Sequence, residues 1–329
     1  MEPVSTTPTA TIVGAGSIGV AFAVQFARSG FHVRMWDALP EALPRAARDR
    51  ADRVRLLHEH GLIDEPVEVV LARISDHEIL YDALRDADLV QECAPEQLPI
   101  KRDLFRMIGS YSPAHAVLAS SSSAIPASAF ADVTPARDRV LIGHPGNPPY
   151  LIPVIELVGG RATSEATMQT ADQLYRRAGL RPVRVRSEIE GFIFNRLQGA
   201  VLREAYCLVR DGVASADDVD EVMRSGLGRR WAFIGPFETV DLNTRGGIAS
   251  HALKMGPAYE RMGAERGQHD PWTEELVATV AAQRRDLLPL GQWEDRVRWR
   301  DEMLMEISRV LQAESGSPSR PVDAHRTAS

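Results

Sequence analysis

Residues 9–37, TATIVGAGSIGVAFAVQFARSGFHVRMWD, constrain the fold more than any other part of this sequence. A short strand pattern leads into a glycine turn, an apolar helix pattern follows, and a second strand pattern ends in an acid. This order predicts a strand–helix–strand unit. Further strand patterns alternate with helix patterns at residues 86–96, 116–123, 138–145 and 152–158. The alternation predicts an α/β fold with a Rossmann-like, doubly wound, mainly parallel sheet.

From about residue 189 the strand patterns give way to helix patterns. The stretch GFIFNRLQGAVLREAYCLVRDG has apolar residues at helical spacing, and Ser215 precedes a run of acids, as at a helix N-terminus. We therefore predict an α/β domain at 1–188, an all-α domain at 189–313, and a loose Ser- and Pro-rich tail at 314–329. The helices carry more apolar surface than the first domain needs, which predicts a homodimer.

Composition excludes several classes of protein. The chain has 329 residues, a net charge of -7 and a pI near 5.8, so no basic surface for nucleic acid is expected. No apolar stretch approaches the roughly 20 residues that a membrane helix needs. The cysteines, Cys93 and Cys207, are far apart, which argues against a disulfide framework or a thiolate metal site. We therefore expect no metal ion. We also expect a cytoplasmic protein, because the start lacks a signal peptide.

The glycine turn has the spacing G-x-G-x-x-G and lies between a strand pattern and a helix pattern. The first glycine permits the tight turn, the second lets the backbone approach a pyrophosphate, and the third lets the helix lie close to the strand. Asp37 follows 18 residues after the last glycine. Its carboxylate can accept hydrogen bonds from the adenosine ribose hydroxyls, and its negative charge repels a 2′-phosphate. NAD is therefore favoured over NADP, although a tight turn without a cofactor has the same pattern. The predicted contacts are Gly14, Gly16, Ser17, Ile18, Gly19 and Asp37.

A histidine and a glutamate follow in neighbouring strand patterns. His144 comes at the end of DRVLIGH, where strands of a doubly wound sheet present side chains to the ligand crevice. A neutral imidazole there is a candidate general base for a hydroxyl group, and Glu156, inside VIELV, is a candidate partner for the imidazolium. The alternative is a core histidine with an unrelated strand glutamate.

Two polar side chains are further candidates for the same crevice. Ser123 ends the run SSSS after a strand pattern, and Asn195 opens the first helix of the second domain. Both can hydrogen-bond a hydroxyl or carbonyl oxygen without a change of charge. Taken singly, a serine there is also typical of a turn, and an asparagine of a helix cap.

These residues stand in longer motifs that resemble the L-3-hydroxyacyl-CoA dehydrogenase superfamily, specifically its lambda-crystallin/L-gulonate 3-dehydrogenase branch. The motifs are VGAGSIG, QECAPE, SSSSAIPAS, HPGNPPYLIPVIELV, GFIFNRLQ and GLGRRWAFIGPFET, and they extend over nearly the whole chain. The resemblance implies a Rossmann-like domain, a helical C-terminal domain that builds a homodimer, and NAD-linked oxidation of an L-3-hydroxy group.

The resemblance also implies roles for single residues. The family's catalytic residues fall on Ser123, His144, Glu156 and Asn195. Its nicotinamide-side cofactor contacts fall on Glu96 and Lys101. Lysine occurs at only two positions, 101 and 254, in a chain with 38 basic residues, so its presence at 101 is consistent with a role for a compact ammonium group.

Two further positions bear on the substrate. Gly146 stands where the family leads us to expect a bulkier apolar residue, and we expect it to widen the wall beside His144. Arg230 matches the arginine of the branch's GLGRRWAFIGPFET motif. It is a candidate anchor for a substrate carboxylate, because a guanidinium group binds a carboxylate through two parallel hydrogen bonds. An interface ion pair is the alternative role for Arg230.

The main functional prediction is an NAD-dependent dehydrogenase, or in reverse a ketoreductase, acting on an L-gulonate-like 3-hydroxy acid. The alternatives are a 3-hydroxyacyl thioester or a biosynthetic keto intermediate as substrate, and a non-catalytic, crystallin-like structural protein. Dehydrogenases that use a lysine at the head of the interdomain helix are excluded, because residues 189–203 contain no lysine.

Overall fold

The computed structural model of the chain describes residues 7–267, 273–296 and 299. These residues form two compact units, the first ending at Leu202 and the second beginning at Arg203. The predicted loose tail at 314–329 lies outside the described residues. No helix among them is long and apolar enough to cross a membrane.

The first unit is built on an eight-stranded sheet with the strand order β3-β2-β1-β4-β5-β6-β7-β8. The order reverses at β1, as in doubly wound nucleotide-binding sheets, where the ligand crevice lies beyond the strand ends. The strands are β1 Thr9–Val13, β2 His32–Trp36, β3 Ile74–His77, β4 Leu89–Glu92, β5 Val117–Ser120, β6 Val140–Pro145, β7 Val154–Gly159 and β8 Arg181–Val185.

Helices cover both faces of this sheet, as the alternating pattern predicts. They are α1 Ser17–Arg28, α2 Ala42–Glu59, α3 Val67–Leu71, α4 Leu80–Leu84, α5 Leu98–Tyr111 and α6 Glu165–Arg177. Successive strand residues point to opposite faces and therefore belong to different apolar clusters, with Leu89 in one and Val90 in the other. The predicted α/β class with a Rossmann-like sheet is confirmed.

The sheet is mainly parallel, as predicted. Strand β7 alone runs antiparallel to its neighbour β6, because the short turn between them reverses the chain instead of crossing over. The sheet differs from the prediction in one respect. Strands β3 and β8 were not predicted, since both contain polar or charged residues where an apolar run is expected. In β3, Ser75 and Asp76 are exposed, and β8 has exposed arginines at 181 and 184. The two strands lie at the edges of the sheet, where such residues are tolerated.

Helix α7, Phe194–Arg210, follows the sheet, and the second unit is helical throughout its described part. Its helices are α8 Ala216–Val222, α9 Gly228–Trp231, α10 Pro236–Asn243, α11 Gly247–Glu265 and α12 Glu274–Leu287, with a π-helical turn at Met223–Leu227. Ser215 caps α8, as the sequence predicts, and the structure adds that the cap is a reciprocal capping box with Asp218. A small apolar cluster lies around Ile234, Leu242 and Leu288.

Candidate active site

The glycine turn has the geometry that dinucleotide binding requires. Gly14 has φ +114°, and a Cβ there would come within 2.8 Å of the Cys93 carbonyl oxygen. A Cβ at Gly19 would overlap the carbonyl oxygen of Gly14. At Gly16, by contrast, a Cβ would meet nothing within 4 Å, so this backbone faces open space at the head of α1. The turn can therefore admit a pyrophosphate against the helix N-terminus.

Asp37 is held beside the turn by the sheet register. Val13 pairs with Trp36, so the residues that follow β1 and β2 are neighbours. One carboxylate oxygen of Asp37 accepts the Ala15 N–H at 2.6 Å, and the other accepts the Leu39 N–H at 2.9 Å. These bonds fix the carboxylate at the edge of the turn, where it can accept hydrogen bonds from ribose hydroxyls.

The structure adds an arginine contact that sequence reasoning did not identify. Arg53, on α2, donates to the backbone oxygen of Ser17 at 3.2 Å and to its Oγ at 3.1 Å. Asp49 holds the same guanidinium group with two bonds of 2.8 Å. An Arg53–Asp49 ion pair thus lies at the first residue of α1, with the guanidinium group turned toward Ser17. No spacing rule in the sequence points to this contact, which depends on how α2 packs against α1.

His144 and Glu156 form a buried pair. They face each other across the antiparallel pair β6–β7, and His144 Nδ1 lies 2.7 Å from Glu156 Oε2. Their exposed fractions are 6% and 2%. Because Nδ1 is bonded to the carboxylate, Nε2 is the ring nitrogen left for a substrate. The structure thus brings together the two residues that the sequence only suggested as partners.

The second oxygen of Glu156 is also bound. Oε1 accepts the backbone N–H groups of Ile193 and Phe194, at 2.7 and 3.0 Å, at the start of α7. Burial raises the pKa of Glu156, but the hydrogen bonds from His144 and these two N–H groups outweigh burial, and the net shift is downward from 4.5. Glu156 is therefore held ionised, as a partner for an imidazolium must be.

A strained turn aims these two N–H groups at Glu156. Gly191 has φ +76°, and Phe192 has φ +47°, the left-handed region that a bulky residue rarely adopts. Phe192 is 1% exposed, and its ring lies 5.5 Å from the His144 ring. The buried ring offsets the backbone strain and covers one side of the imidazole. The Gly-Phe pair in GFIF was the only signal for this turn in the sequence.

A cavity of about 390 Å³ opens beside His144. Ser123 and Asn195 both line it, and among the described residues neither side chain has a hydrogen-bond partner. Together with His144 they present an imidazole, a hydroxyl and an amide to the same cavity. The lining residues are Ile18, Ser121, Ser123, His144, Pro145, Asn147, Phe194, Asn195 and Gln198.

Lys101 and Glu96 lie next to this cavity's serine segment but differ in exposure. Lys101 is fully buried, and its Nζ lies 3.0 Å from Glu92 Oε2 and 3.4 Å from Ser120 Oγ. Glu96 is partly exposed, and its Oε2 lies 4.0 Å from the same Nζ. Sequence reasoning missed Glu92 as the principal partner of Lys101. A direct contact of Lys101 with the cofactor stays a prediction.

Gly146 does not widen the wall beside His144, contrary to the sequence-based expectation. A Cβ at Gly146 would lie 2.9 Å from the Ile152 carbonyl oxygen and would overlap the Ile152 side chain. The space that a larger residue would need is already filled by the turn between β6 and β7. Glycine here permits a close approach of the chain to itself and leaves no opening.

Arg230 lies in α9 of the second compact unit and is half-buried. Among the described residues it has no ion-pair partner, and its neighbour Arg229 has an Nε that is shielded from solvent without a partner. A carboxylate anchor at Arg230 stays a prediction. Within the described part of the chain, no cluster of His, Cys, Asp and Glu is arranged to hold a metal ion.

Hydride-transfer enzymes need a dinucleotide-binding turn and a proton acceptor at the same edge of the sheet, and this chain has the glycine turn and a candidate acceptor, His144, there. The fold and site define an NAD-linked dehydrogenase. The family model for the 3-hydroxyacyl-CoA dehydrogenase NAD binding domain matches residues 9–189 of this sequence. The family model for the 3-hydroxyacyl-CoA dehydrogenase C-terminal domain matches residues 191–286. The chain belongs to the 3-hydroxyacyl-CoA dehydrogenase family. The predictions of family, NAD cofactor and dehydrogenase class are confirmed.

Named relatives cover nearly the whole chain. The lambda-crystallin homolog of Bos taurus is 40% identical over 308 residues, covering 91% of this chain and 94% of the relative. An L-carnitine dehydrogenase from Pseudomonas sp is 35% identical over 315 residues, covering 91% and 92%. Among solved structures, the NAD-dependent 5-formyl-3-hydroxy-2-methylpyridine 4-carboxylic acid 5-dehydrogenase has a TM-score of 0.70 at 26% identity, covering 93% and 99%.

Proposed function

We propose that the protein oxidises a small, free L-3-hydroxy acid, L-gulonate or a similar compound, with His144 as the general base. The observation that carries the proposal is the buried His144–Glu156 pair, which opens onto the same cavity as Ser123 and Asn195. NAD, when bound, accepts the hydride from C3 of the substrate. The reverse reaction reduces the corresponding 3-keto acid.

Each side chain has a defined task in this proposal. The neutral imidazole of His144 takes the hydroxyl proton at Nε2, while Nδ1 stays bonded to Glu156. The ionised Glu156 stabilises the imidazolium that forms. Ser123 and Asn195 donate hydrogen bonds to the substrate oxygen, which gains carbonyl character as hydride leaves. Both side chains are available to donate, since neither forms a hydrogen bond with another described residue.

The lining of the cavity supports a hydroxylated substrate. Apart from the two catalytic residues that bind the oxygen, Asn147, Gln198 and Ser121 contribute amide and hydroxyl groups, and among the described residues no acid, lysine or arginine lines the wall. Such groups suit neutral hydroxyls near the reacting carbon. The relative named for L-carnitine, itself a small 3-hydroxy acid, favours the free-acid class. A 3-hydroxyacyl thioester is the second candidate, because the family is named for that substrate.

Two features of the second unit belong to the proposal. Arg230 anchors the substrate carboxylate, supported by the lack of an ion-pair partner among the described residues. The protein acts as a homodimer, supported by apolar side chains that are exposed in the single chain. These include Tyr206, Val209, Val213, Val222, Leu253 and Met262. Light scattering that shows a monomer at micromolar concentration would contradict the dimer.

The test is an NADH absorbance assay on L-gulonate, L-carnitine, 3-hydroxybutyrate and 3-hydroxybutyryl-CoA. We expect activity on free acids, with the highest kcat/KM for a polyhydroxylated one. His144→Asn should lower kcat by about 10²- to 10⁴-fold, the usual contribution of a positioned general base. The matched control is His115→Asn, because His115 is exposed and also pairs with a carboxylate, Asp88 at 3.2 Å.

Two results would refute the proposal. Activity confined to 3-hydroxybutyryl-CoA would replace the free acid with the thioester. A His144→Asn variant within threefold of the parent would remove the base from the mechanism.

A further inference from the structure

Ser123 has no side-chain partner of its own among the described residues, so the position of its hydroxyl depends on the backbone that carries it. That backbone is residues 121–125, here called the serine loop, which follows β5 and contributes to the cavity through Ser121 and Ser123. Ser123 itself is exposed, and packing does not hold it. Whatever fixes the serine loop also fixes the substrate contact.

Glu96 supplies most of the long-range bonds to this loop. Its Oε1 accepts the Ala124 N–H at 3.2 Å and the Ile125 N–H at 3.1 Å. The same oxygen accepts the hydroxyl of Ser122, which is fully buried. Three donors on both sides of Ser123 therefore converge on one carboxylate oxygen from the loop after β4.

Glu96 is itself anchored and charged. Burial raises its pKa, but the bond from Ser122, the loop N–H groups and the nearby Lys101 ammonium outweigh burial, and the net shift is downward from 4.5. Lys101 is in turn fixed by Glu92 at the end of β4, with Nζ–Oε distances of 3.1 and 3.0 Å. The buried Lys101–Glu92 ion pair thus places a positive charge beside Glu96, and the Glu96 carboxylate in turn binds the serine loop.

We propose that Glu96 is a positioning residue, which holds the hydroxyl of Ser123 at the substrate oxygen by binding the serine loop through Oε1. The proposal deepens the proposed function, since it rests on Ser123 as the group that binds the reacting oxygen. It is compatible with a cofactor contact through Oε2, the oxygen that the loop does not use. Its consequence is that Glu96 acts on the chemical step as well as on cofactor binding.

A double-mutant cycle tests this coupling. Glu96→Ala and Ser123→Ala should each lower kcat at saturating NAD by about tenfold, the effect of one lost hydrogen bond to a charged or reacting oxygen. The double variant should be no slower than the slower single variant, because an unheld loop and a missing hydroxyl abolish the same contact. Glu96→Gln, whose amide oxygen can accept the same donors, should restore kcat to within about threefold of the parent.

Two readouts do not depend on turnover. Hydrogen exchange at the Ala124 and Ile125 amides should speed up in Glu96→Ala but stay near the parent rate in Glu96→Gln. The Kd for NADH, measured by fluorescence, separates a loss of cofactor contact from a loss of chemistry. Glu68→Ala is the matched control, because Glu68 is exposed and has no side-chain partner in the described part of the chain.

The proposal is overturned if the two losses multiply in the double variant, if exchange at Ala124 and Ile125 is unchanged, or if Glu96→Ala changes only the Kd for NADH. These outcomes are distinct from failure of the proposed function. An active His144→Asn enzyme would remove the base, yet the Glu96 cycle and the exchange rates would keep their meaning.

Discussion

His144 Nδ1 and Glu156 Oε2 lie 2.7 Å apart because the two residues are directly opposite in an antiparallel strand pair. A shift of one residue in this register would turn the glutamate to the other face of the sheet. The turn between β6 and β7 therefore determines the geometry of this pair, together with the N–H groups of Ile193 and Phe194 that hold the second carboxylate oxygen.

Asp37→Ser should relax the preference for NAD. The variant loses the negative charge that repels a 2′-phosphate while the glycine turn is retained, so the ratio of kcat/KM for NAD over NADP should fall by roughly tenfold or more, an ordinary size for removal of a repulsive group. Asp52→Ser, a change at an exposed ion-paired residue of the following helix α2, is the control. An unchanged ratio of kcat/KM for NAD over NADP would mean that Asp37 does not discriminate between the two cofactors at the ribose.

Gly146→Ala should destabilise the protein. The new methyl group would press on the Ile152 carbonyl and side chain, and overpacking of this kind typically costs about 1–3 kcal/mol in the free energy of unfolding. Urea denaturation measures the change. Gly226→Ala, where a Cβ meets nothing within 4 Å, should be neutral or slightly stabilising. Full stability of Gly146→Ala would show that the turn can retreat from Ile152.

The protein should become less stable as the pH falls through the acid range, partly because of Glu156. Its pKa is lower in the folded chain than its ordinary value of 4.5, so the ionised carboxylate stabilises the fold above pH 4.5, and this contribution is lost as the pH falls through the folded value. In Glu156→Gln the free energy of unfolding should depend less steeply on pH just below 4.5, by up to about 1.4 kcal/mol per pH unit for one proton.

Urea denaturation at a series of pH values measures both slopes. Glu68→Gln is the control for a carboxylate without a partner among the described residues. If parent and Glu156→Gln slopes coincide, the carboxylate is not held ionised by the fold.

Arg230→Met should raise KM for a carboxylate substrate by roughly ten- to a hundredfold, equivalent to about 1.5–3 kcal/mol of charge-assisted hydrogen bonding, while the Kd for NADH stays the same. Arg245→Met, whose exposed guanidinium pairs with Glu294, is the matched control. If KM is unchanged and the dimer dissociates, Arg230 has the interface role instead.

Much of the first domain could be predicted because its signals are local. The glycine spacing, Asp37 at the end of β2, and the short apolar runs of the central strands each reflect backbone geometry or burial within a few residues. Strands β3 and β8 were missed for the same reason, since an edge strand with exposed polar residues has no local apolar pattern.

By itself, the sequence determined the class of fold, the cofactor, the family and the residue types of the site, because strand and helix periods and turn chemistry are set by neighbouring residues. Only the tertiary structure decided which groups meet. The pairing of His144 with Glu156 depends on the register of two strands. The hydrogen bonds from Ile193 and Phe194 to Glu156 depend on a left-handed turn. Glu96 reaches the serine loop because β4 and β5 are neighbours and end at the same edge of the sheet. The role of Gly146 was also misjudged for this reason, since its neighbour Ile152 is brought against it only when the chain folds back.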